Sequence, residues 1–437
     1  MAESRQGAPS WTNWGRSVES RPVRVAHPAS TADVVAIVRE AVAAGLPVKA
    51  VGAGHSFTAI AATDGVLLRL DRMTAIVAID TTLQRVRVQA GLSLHDLNPL
   101  LQASGLALPN LGDVDPQSVA GAISTGTHGT GGNLFGIAQA VVGVQLVTAT
   151  GDVLEIDEQH PWFGASRVTL GALGIITEVT LQCVPAFLLH AREEPMRLPA
   201  VLERIDSLVA DNDHFEFYWF PHTEKTLVKR NNRVPDGTAR QPIGRLRHWL
   251  DDEFLSNTAF EGINRVVAKR RSWIPRVNAI AGSALSAREY VDDSHAVFVS
   301  RRTVRFREAE FAMPREALPH VLGELAAWFR AGHENISFPI EVRFTAADDV
   351  WMSTGHERDN CYVAVHQYWR SDYAAYFAAA QDIFTAHEGR PHWGKIHTLG
   401  ADYFAERYSR FGDFVAIRDE LDPGRTFSNP YLDRVLG

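Results

Sequence analysis

The stretch VKAVGAGHSF (48–57) decides how the N-terminal part of this chain is read. VKAV (48–51) has the apolar, branched character of a short strand. It runs straight into a loop, GAGHS, in which Gly52 and Gly54 let the backbone turn tightly and approach a ligand with no Cβ in the way. Successive N–H groups in such a loop form a concave nest that favours phosphate oxygens. Upstream, STADVVAIVREAVAA (30–44) reads as a helix capped by Ser30 or Thr31, with Val34, Val35, Val38, Ala41 and Val42 on one face and Gly45 and Pro47 as its stop. Downstream come VLLRL (66–70) and VRVQAG (86–91), two further strands. The order is helix, strand, glycine loop, strand. A nicotinamide dinucleotide fold needs its glycine loop between a strand and a helix, so that class is disfavoured.

A second glycine loop lies further on. SVAGAISTGTHGTGG (118–132) is built of small residues, with Ser124, Thr125 and Thr127 offering hydroxyls. Between the loops, SLHDLNPLLQASG (93–105) reads as a helix. VVGVQLVTATGDVLEI (141–156) reads as a hairpin turning at Gly151–Asp152, and VTLGALGIITEVTLQCV (168–184) closes the region with a strand. Two glycine loops facing each other suit a pyrophosphate held between them.

From about residue 186 the glycine loops stop, and aromatic-rich segments such as HFEFYWF (214–220) mark a second domain. The polar stretch 229–249 is expected as a surface excursion. Residues 317–332 and 371–387 read as amphipathic helices, and the tail LDPGRTFSNPYL (421–432) as an ordered segment. The expected domains are 1–185, 186–390 and a C-terminal segment 391–437 that completes the site and packs back on the first domain.

Composition narrows the function. The chain has 437 residues, a formal net charge of −8 and no long basic run, so a nucleic-acid partner is not expected. Two cysteines, Cys183 and Cys361, exclude a disulfide framework and a four-thiolate metal centre. His366, His392 and His397 fit no common zinc spacing, so no metal is expected. The start lacks a basic-then-apolar leader, and no run of about 18 apolar residues occurs. A soluble cytoplasmic protein without a transmembrane segment is expected, with peripheral membrane association left open.

Three stretches taken together are recognisable: GAGHS, PQSVAGAISTGTHGTG (116–131) and LGALGIIT (170–177). They resemble the PCMH-type FAD-binding domain of the vanillyl-alcohol oxidase family. PIEVR (339–343), HWGK (392–395) and DPGRTFSNPYL (422–432) narrow the resemblance to its aldonolactone oxidoreductase branch, which includes gulonolactone, arabinonolactone and galactonolactone enzymes and alditol oxidases. The resemblance implies an α+β chain: an FAD-binding domain of two α/β subdomains, and a substrate (cap) domain with an antiparallel sheet flanked by helices.

It also implies sites. FAD contacts are expected at Val51, Gly52, Ala53, Gly54, His55 and Ser56, at Asp113, Ser118, Gly121, Thr125, Thr127, His128 and Gly129, and at Ile175 or Ile176. His55 matches the histidine that in many members is bonded to the 8α-methyl of the flavin. His397 is expected to touch the flavin or support Lys395. Gly112 matches the position that governs oxygen access.

Glu341 and Arg343 alternate on EVRF and so share a face, where a carboxylate beside a guanidinium can orient a polyol. Lys395 is expected to stabilise an alkoxide, with burial lowering its pKa towards neutrality, and His366 to lie near the substrate. The function implied is oxidation of a sugar-acid lactone, L-gulono-1,4-lactone first, by hydride transfer to flavin N5, with oxygen or another redox acceptor closing the cycle. An alditol oxidase and a flavin-binding protein without turnover are the alternatives.

Overall fold

The computed structural model describes residues 9–300 and 302–437. The N-terminal stretch read as lacking a leader falls mainly on residues 1–8, outside the described residues.

A two-stranded antiparallel ribbon, Trp11–Thr12 with Glu19–Ser20, precedes a small parallel sheet. Strands β1 (Arg24–Ala26), β2 (Val48–Val51) and β3 (Val66–Arg69) lie in the order β1-β3-β2. Helix α1 (Thr31–Ala43) links β1 to β2. Ser30 caps it by accepting from the Asp33 N–H, and Val34, Ile37, Val38 and Ala41 are buried.

A five-stranded antiparallel sheet follows. Its strands are β4 (Ile76–Asp80), β5 (Arg85–Gln89), β6 (Val141–Val147), β7 (Val153–Asp157) and β8 (Ile175–Gln182), in the order β7-β6-β8-β5-β4. Helix α2 (Leu94–Ala103) and the short α3 (Val119–Ser124) cover it. The segment 118–132, read only as a small-residue loop, thus holds one and a half helical turns before the loop proper.

An eight-stranded antiparallel sheet dominates the rest. In chain order its strands are β9 (Leu188–Arg197), β10 (His214–Trp219), β11 (Lys225–Arg233), β12 (Arg288–Asp293), β13 (Phe306–Pro314), β14 (Ile340–Thr345), β15 (Asn360–Tyr368) and β16 (Arg390–Pro391). In space they run β12-β9-β11-β10-β14-β15-β13-β16. Residues 229–233, expected in a surface excursion, instead finish β11, because their backbone pairs with β9 on one side and β10 on the other.

Strand alternation gives this sheet two unlike faces. Phe215, Phe217, Trp219, Val228, Ala309, Phe311, Val342, Phe344, Val363 and Val365 share one core with helices α4 (Leu318–Arg330) and α5 (Ala374–Ala386). The intervening residues point the other way, and there the sheet carries charge.

The last helices, α6 (Ala401–Arg407), α7 (Phe411–Leu421) and α8 (Pro430–Leu436), return to the first core, where Phe404, Phe414, Phe427 and Leu432 pack with Val34, Leu68 and Val86. Among the described residues, no helix is long and apolar enough to cross a membrane.

Candidate active site

The loop after β2 and the loop around α3 meet directly. A Cβ on Gly52 would fall 2.2 Å from the Ser118 Oγ, and Gly54 adopts a left-handed φ of +71°. Ser118 is the N-cap of α3 and accepts from the Gly121 N–H at 3.2 Å. Together with Thr169–Gly171 and Gly174–Ile176 these loops line an open cleft. Val51, Gly52, Ala53, Gly54, His55, Ser56, Ser118, Gly121, Thr125 and Ile176 line it, as do Trp11, Lys49, Gln117 and Leu170, which sequence reasoning passed over.

Lys49 is the least expected of these. It is 2 % exposed, and its Nζ donates to the carbonyls of Gly171 and Phe427, both at 2.9 Å. Burial lowers its pKa to about 7 against the pull of Asp422. It reads as a strand residue in VKAV, and only the fold shows that it reaches the cleft.

His55 stacks on Trp14, with ring centroids 5.3 Å apart. Burial, helped by the nearby Lys395 charge, pushes its pKa down to about 4, so the imidazole is neutral at physiological pH. The next residue but one, Phe57, donates its N–H to the Gly394 carbonyl at 2.6 Å. That bond ties the histidine loop to the HWGK segment. Trp393 anchors this segment in turn: its Nε1 donates to the Met352 carbonyl, and its own carbonyl accepts from Thr58 Oγ1 and Tyr431 OH.

Six residues expected around the cofactor stand outside the cleft lining. Asp113 is drawn into ion pairs on the sheet face, and His128 lies against Glu310 there, as described below. Thr127 is one step back, accepting from the Gln117 side chain at 3.3 Å. Gly129 and Gly112 are glycines for packing. A Cβ on Gly129 would meet Asn110 Oδ1 and the Leu111 carbonyl at 2.3 Å, and one on Gly112 would meet the His128 carbonyl at 3.1 Å. His397 is buried against Tyr431, its Nε2 2.9 Å from the Tyr431 OH.

The polar face of the large sheet gathers the charged residues. Register puts Tyr218, Glu341, Ala364 and Glu310 in one row across β10, β14, β15 and β13. His366 and Glu308 pair in the next row.

In the first group, Arg343 is held by three carboxylates. Its Nε donates to Glu216 at 3.0 Å, and its Nη2 meets Asp113 at 3.2 Å and also Glu341. Arg302 adds a second guanidinium, 2.6 Å from Asp113, and Lys229 lies 3.5 Å from Glu216. Tyr218 donates its hydroxyl to Glu341 at 3.0 Å. Three carboxylates therefore face three cations. Burial works to raise the Asp113 pKa, but Arg343 and Arg302 outweigh it and hold the carboxyl well below its usual range. For Glu341 burial prevails, with Asp113 and Glu216 adding to it, and the pKa is raised despite Arg343. Glu341 is thus the carboxyl of the group readiest to take a proton.

In the second group, Lys395 lies 2.5 Å from Glu308 and 3.8 Å from Glu310. This corrects the expectation for its pKa. Burial does push it down, but the two carboxylates outweigh burial and the ammonium is held charged, above its ordinary value. His366 lies 3.5 Å from Glu308, and His128 3.4 Å from Glu310. Glu216, Glu308, Glu310 and Arg302 were not foreseen. The available signal was a glutamate inside an apolar alternating run, as in F-E-F (215–217) and E-A-E-F (308–311).

The comparisons with known proteins agree with this architecture. A family model described as D-arabinono-1,4-lactone oxidase matches residues 179–435, and one described as FAD binding domain matches residues 22–157. The chain is 40 % identical to an L-gulono-1,4-lactone dehydrogenase of Mycobacterium tuberculosis, covering 98 % of this chain and all of the relative. It is 34 % identical to the L-gulonolactone oxidase of Bos taurus, with 97 % of each chain covered. It is 32 % identical to an alditol oxidase of a Streptomyces species, covering 97 % and 98 %. Among solved structures, cholesterol oxidase from Brevibacterium sterolicum superposes with a TM-score of 0.81 at 18 % identity over 98 % of this chain and 96 % of that one, a likeness of fold.

The cleft fits FAD. Among the described residues no carboxylate lines it; backbone loops and hydroxyls face a lysine and a neutral imidazole, a set that suits a phosphate-bearing cofactor. The matched models, the full-length relatives and the cleft lead to one conclusion: this chain belongs to the FAD-dependent aldonolactone oxidoreductases, the D-arabinono-1,4-lactone oxidase family within the vanillyl-alcohol oxidase fold.

Proposed function

We propose that the protein oxidises a sugar-acid lactone, L-gulono-1,4-lactone first among candidates, at a secondary carbinol, and that FAD is bonded through His55. The observation that carries this reading is the junction at Phe57 and Gly394, which sets the His55 loop beside Lys395 and the Glu341–Arg343 face. The names borne by the relatives from Mycobacterium tuberculosis and Bos taurus support the lactone.

FAD, when bound, supplies the hydride acceptor. The roles of the chain's own residues follow from their charges. Arg343, fixed by Glu216 and Asp113, donates to a substrate oxygen, and Glu341 accepts from a neighbouring hydroxyl. Lys395, held as an ammonium, stabilises negative charge that develops on the reacting oxygen. Val51 to Ser56, Ser118, Gly121 and Thr125, which line the cleft, would hold FAD. Neutral His55 has a lone pair free for carbon, the state an alkylation requires. Oxygen or another redox acceptor would complete the cycle. The buried, unpaired Cys183 and Cys361 favour a reducing, cytoplasmic setting.

The relative from Streptomyces favours a second reading, oxidation of an alditol at its terminal carbinol. Anaerobic mixing of the yellow protein with L-gulono-1,4-lactone or with xylitol separates them. Bleaching by the lactone is expected. Bleaching by xylitol alone transfers the assignment to alditols, and bleaching by neither removes both substrates.

A further inference from the structure

Most of this chain hides its large apolar side chains, and one segment does not. Of the sixteen that stand exposed among the described residues, eight lie between residues 246 and 280. Leu246 is 78 % exposed and Ile280 69 %, and Trp249 and Trp273 are each 50 % exposed.

Three helical pieces make up most of this segment: Trp249–Ala259, Phe260–Val267 and Ile274–Ala284. They are built inside out. Asparagines fasten them to the body of the protein. Asn257 accepts from the N–H and the hydroxyl of Thr303, at 2.7 and 2.9 Å. Asn264 accepts from the Ser337 hydroxyl at 2.6 Å. Asn278 donates to the carbonyls of Pro221 and Ile336, at 3.0 and 2.8 Å. All three asparagines are buried, with Val267 and Ile274, while Ile263, Val266 and Ile280 on the same helices are exposed. An ordinary surface helix turns its apolar stripe inward and its polar side chains out. Apolar surface concentrated outward in this way marks an interaction face.

The charge beside it has one sign. Between Phe260 and Ala284 stand Arg265, Lys269, Arg270, Arg271 and Arg276 against Glu261 alone, in a chain whose net charge is −8. Arg265 pairs with Glu261, and Arg271 reaches Glu334 at 3.7 Å. Lys269, Arg270 and Arg276 are exposed and form no ion pair among the described residues.

The neighbouring cluster continues that sign. Phe260 and Ala268 pack with Trp369 against Phe338 and Tyr368. Three guanidiniums surround the Trp369 ring: Arg16, Arg305 and Arg370 lie 5.1, 5.6 and 4.4 Å from its centroid. None of the three forms an ion pair among the described residues. Arg305 is held below its ordinary pKa by partial burial and by the Arg16 charge, against the pull of Glu261.

We propose that this face docks on an anionic lipid surface. The tryptophans and aliphatic side chains enter the headgroup layer, and the unpaired arginines and Lys269 meet lipid phosphates. Tryptophan is the side chain enriched at that depth. The remainder of the chain is acidic, so an anionic surface repels every approach but this one. A second copy of the chain is a poorer occupant, because a two-fold contact sets the cations of one patch against those of the other. Among the described residues no helix is long and apolar enough to cross a membrane, so these helices lie on the bilayer and do not span it. The inference stands apart from the choice of substrate.

The test is co-sedimentation of the full-length protein with sucrose-loaded vesicles. Wild type should pellet with vesicles of phosphatidylcholine and phosphatidylglycerol, stay in solution with phosphatidylcholine alone, and be released as salt is raised. Trp249→Ser with Trp273→Ser should weaken association at least about tenfold, and Arg270→Glu with Arg276→Glu by a similar factor. Leu83→Ser, at an exposed leucine outside the segment, should change nothing. All these variants should keep the melting temperature and flavin content of wild type, which separates loss of docking from loss of fold. Bromine-labelled lipid chains should quench tryptophan fluorescence in wild type and much less in the doubly substituted tryptophan variant.

Wild type that stays in solution with the phosphatidylglycerol vesicles overturns the proposal. So does binding indifferent to phosphatidylglycerol and salt, or a tryptophan variant that pellets as wild type does. A dimer in sedimentation equilibrium that the tryptophan substitutions dissociate, without vesicle binding, assigns the face to a second copy instead.

Discussion

The cleft and the polar sheet face lie side by side and solve opposite problems. The cleft is walled with backbone: two loops touching at Gly52 and Ser118, hydroxyls, a lysine engaged by carbonyls and a neutral histidine. The sheet face holds charges: Arg343, Arg302, Lys229 and Lys395 set among four buried glutamates and the half-buried Asp113. A backbone site tolerates side-chain change but not added bulk. A charged site tolerates neither loss nor neutralisation, since each buried ion is compensated only by its partners. The same chemistry therefore has two modes of failure.

The largest effect is expected at Arg343. Arg343→Ala strands Asp113, Glu216 and Glu341 without their common cation, which should cost about 3–5 kcal/mol of stability. It should slow anaerobic bleaching at least about a hundredfold, or ~2.7 kcal/mol. Stopped-flow traces close to wild type would remove the guanidinium from the site.

Next comes Gly52→Ala. Its methyl has no room against Ser118 Oγ, so cofactor content after gel filtration should fall several-fold, and Ser118→Gly in the same chain should restore part of it. If the single variant keeps its full yellow colour, the loops are not packed as described.

His55→Ala sharpens the contrast between the regions. Acid-precipitated wild type should stay yellow and the variant should not, while the variant still binds free FAD through its loops. A yellow acid pellet from the variant would place the bond elsewhere.

The smallest and broadest effect concerns pH. Burial lowers the pKa of His55 and His214 to about 4, and of His392 and His397 to about 3. An unfolded histidine titrates near 6.5, so between about pH 6.5 and pH 4 the unfolded chain binds more protons than the folded one. Stability should rise with pH across that window and be lost on acidification through it. Melting temperatures measured from pH 7 to pH 4 should fall steadily; a flat profile would mean these rings are not buried as neutral groups.

Much of the cleft was legible because its signals are local. Gly52, Gly54, Ser118 and Thr125 each declare themselves within a few residues, and β2 announces the loop it feeds. Glu341 and Arg343 were legible because two residues on one strand share a face. The rest depends on register. Glu216 reaches Arg343 across 127 positions of sequence, and Glu308 meets His366 only because β13 pairs with β15. Asp113 and His128 were expected at the cofactor from the family resemblance; the neighbours that the fold gives them, Arg343 and Glu310, come from distant strands. The sign of the Lys395 shift reversed for the same reason: burial is foreseeable from one residue, its partners are not.

The bond from Lys49 to Phe427 also bears on how the enzyme is assembled in time. It joins residues 378 positions apart, and Asn429 nearby donates its amide to the carbonyls of Ala59, Ile60 and Ala62. The matched FAD-binding segment stops at residue 157, yet the wall of its cleft is pinned by a part of the chain that emerges late from the ribosome. A nascent chain that ends before residue 427 therefore lacks the carbonyl that fixes Lys49 in the cleft wall.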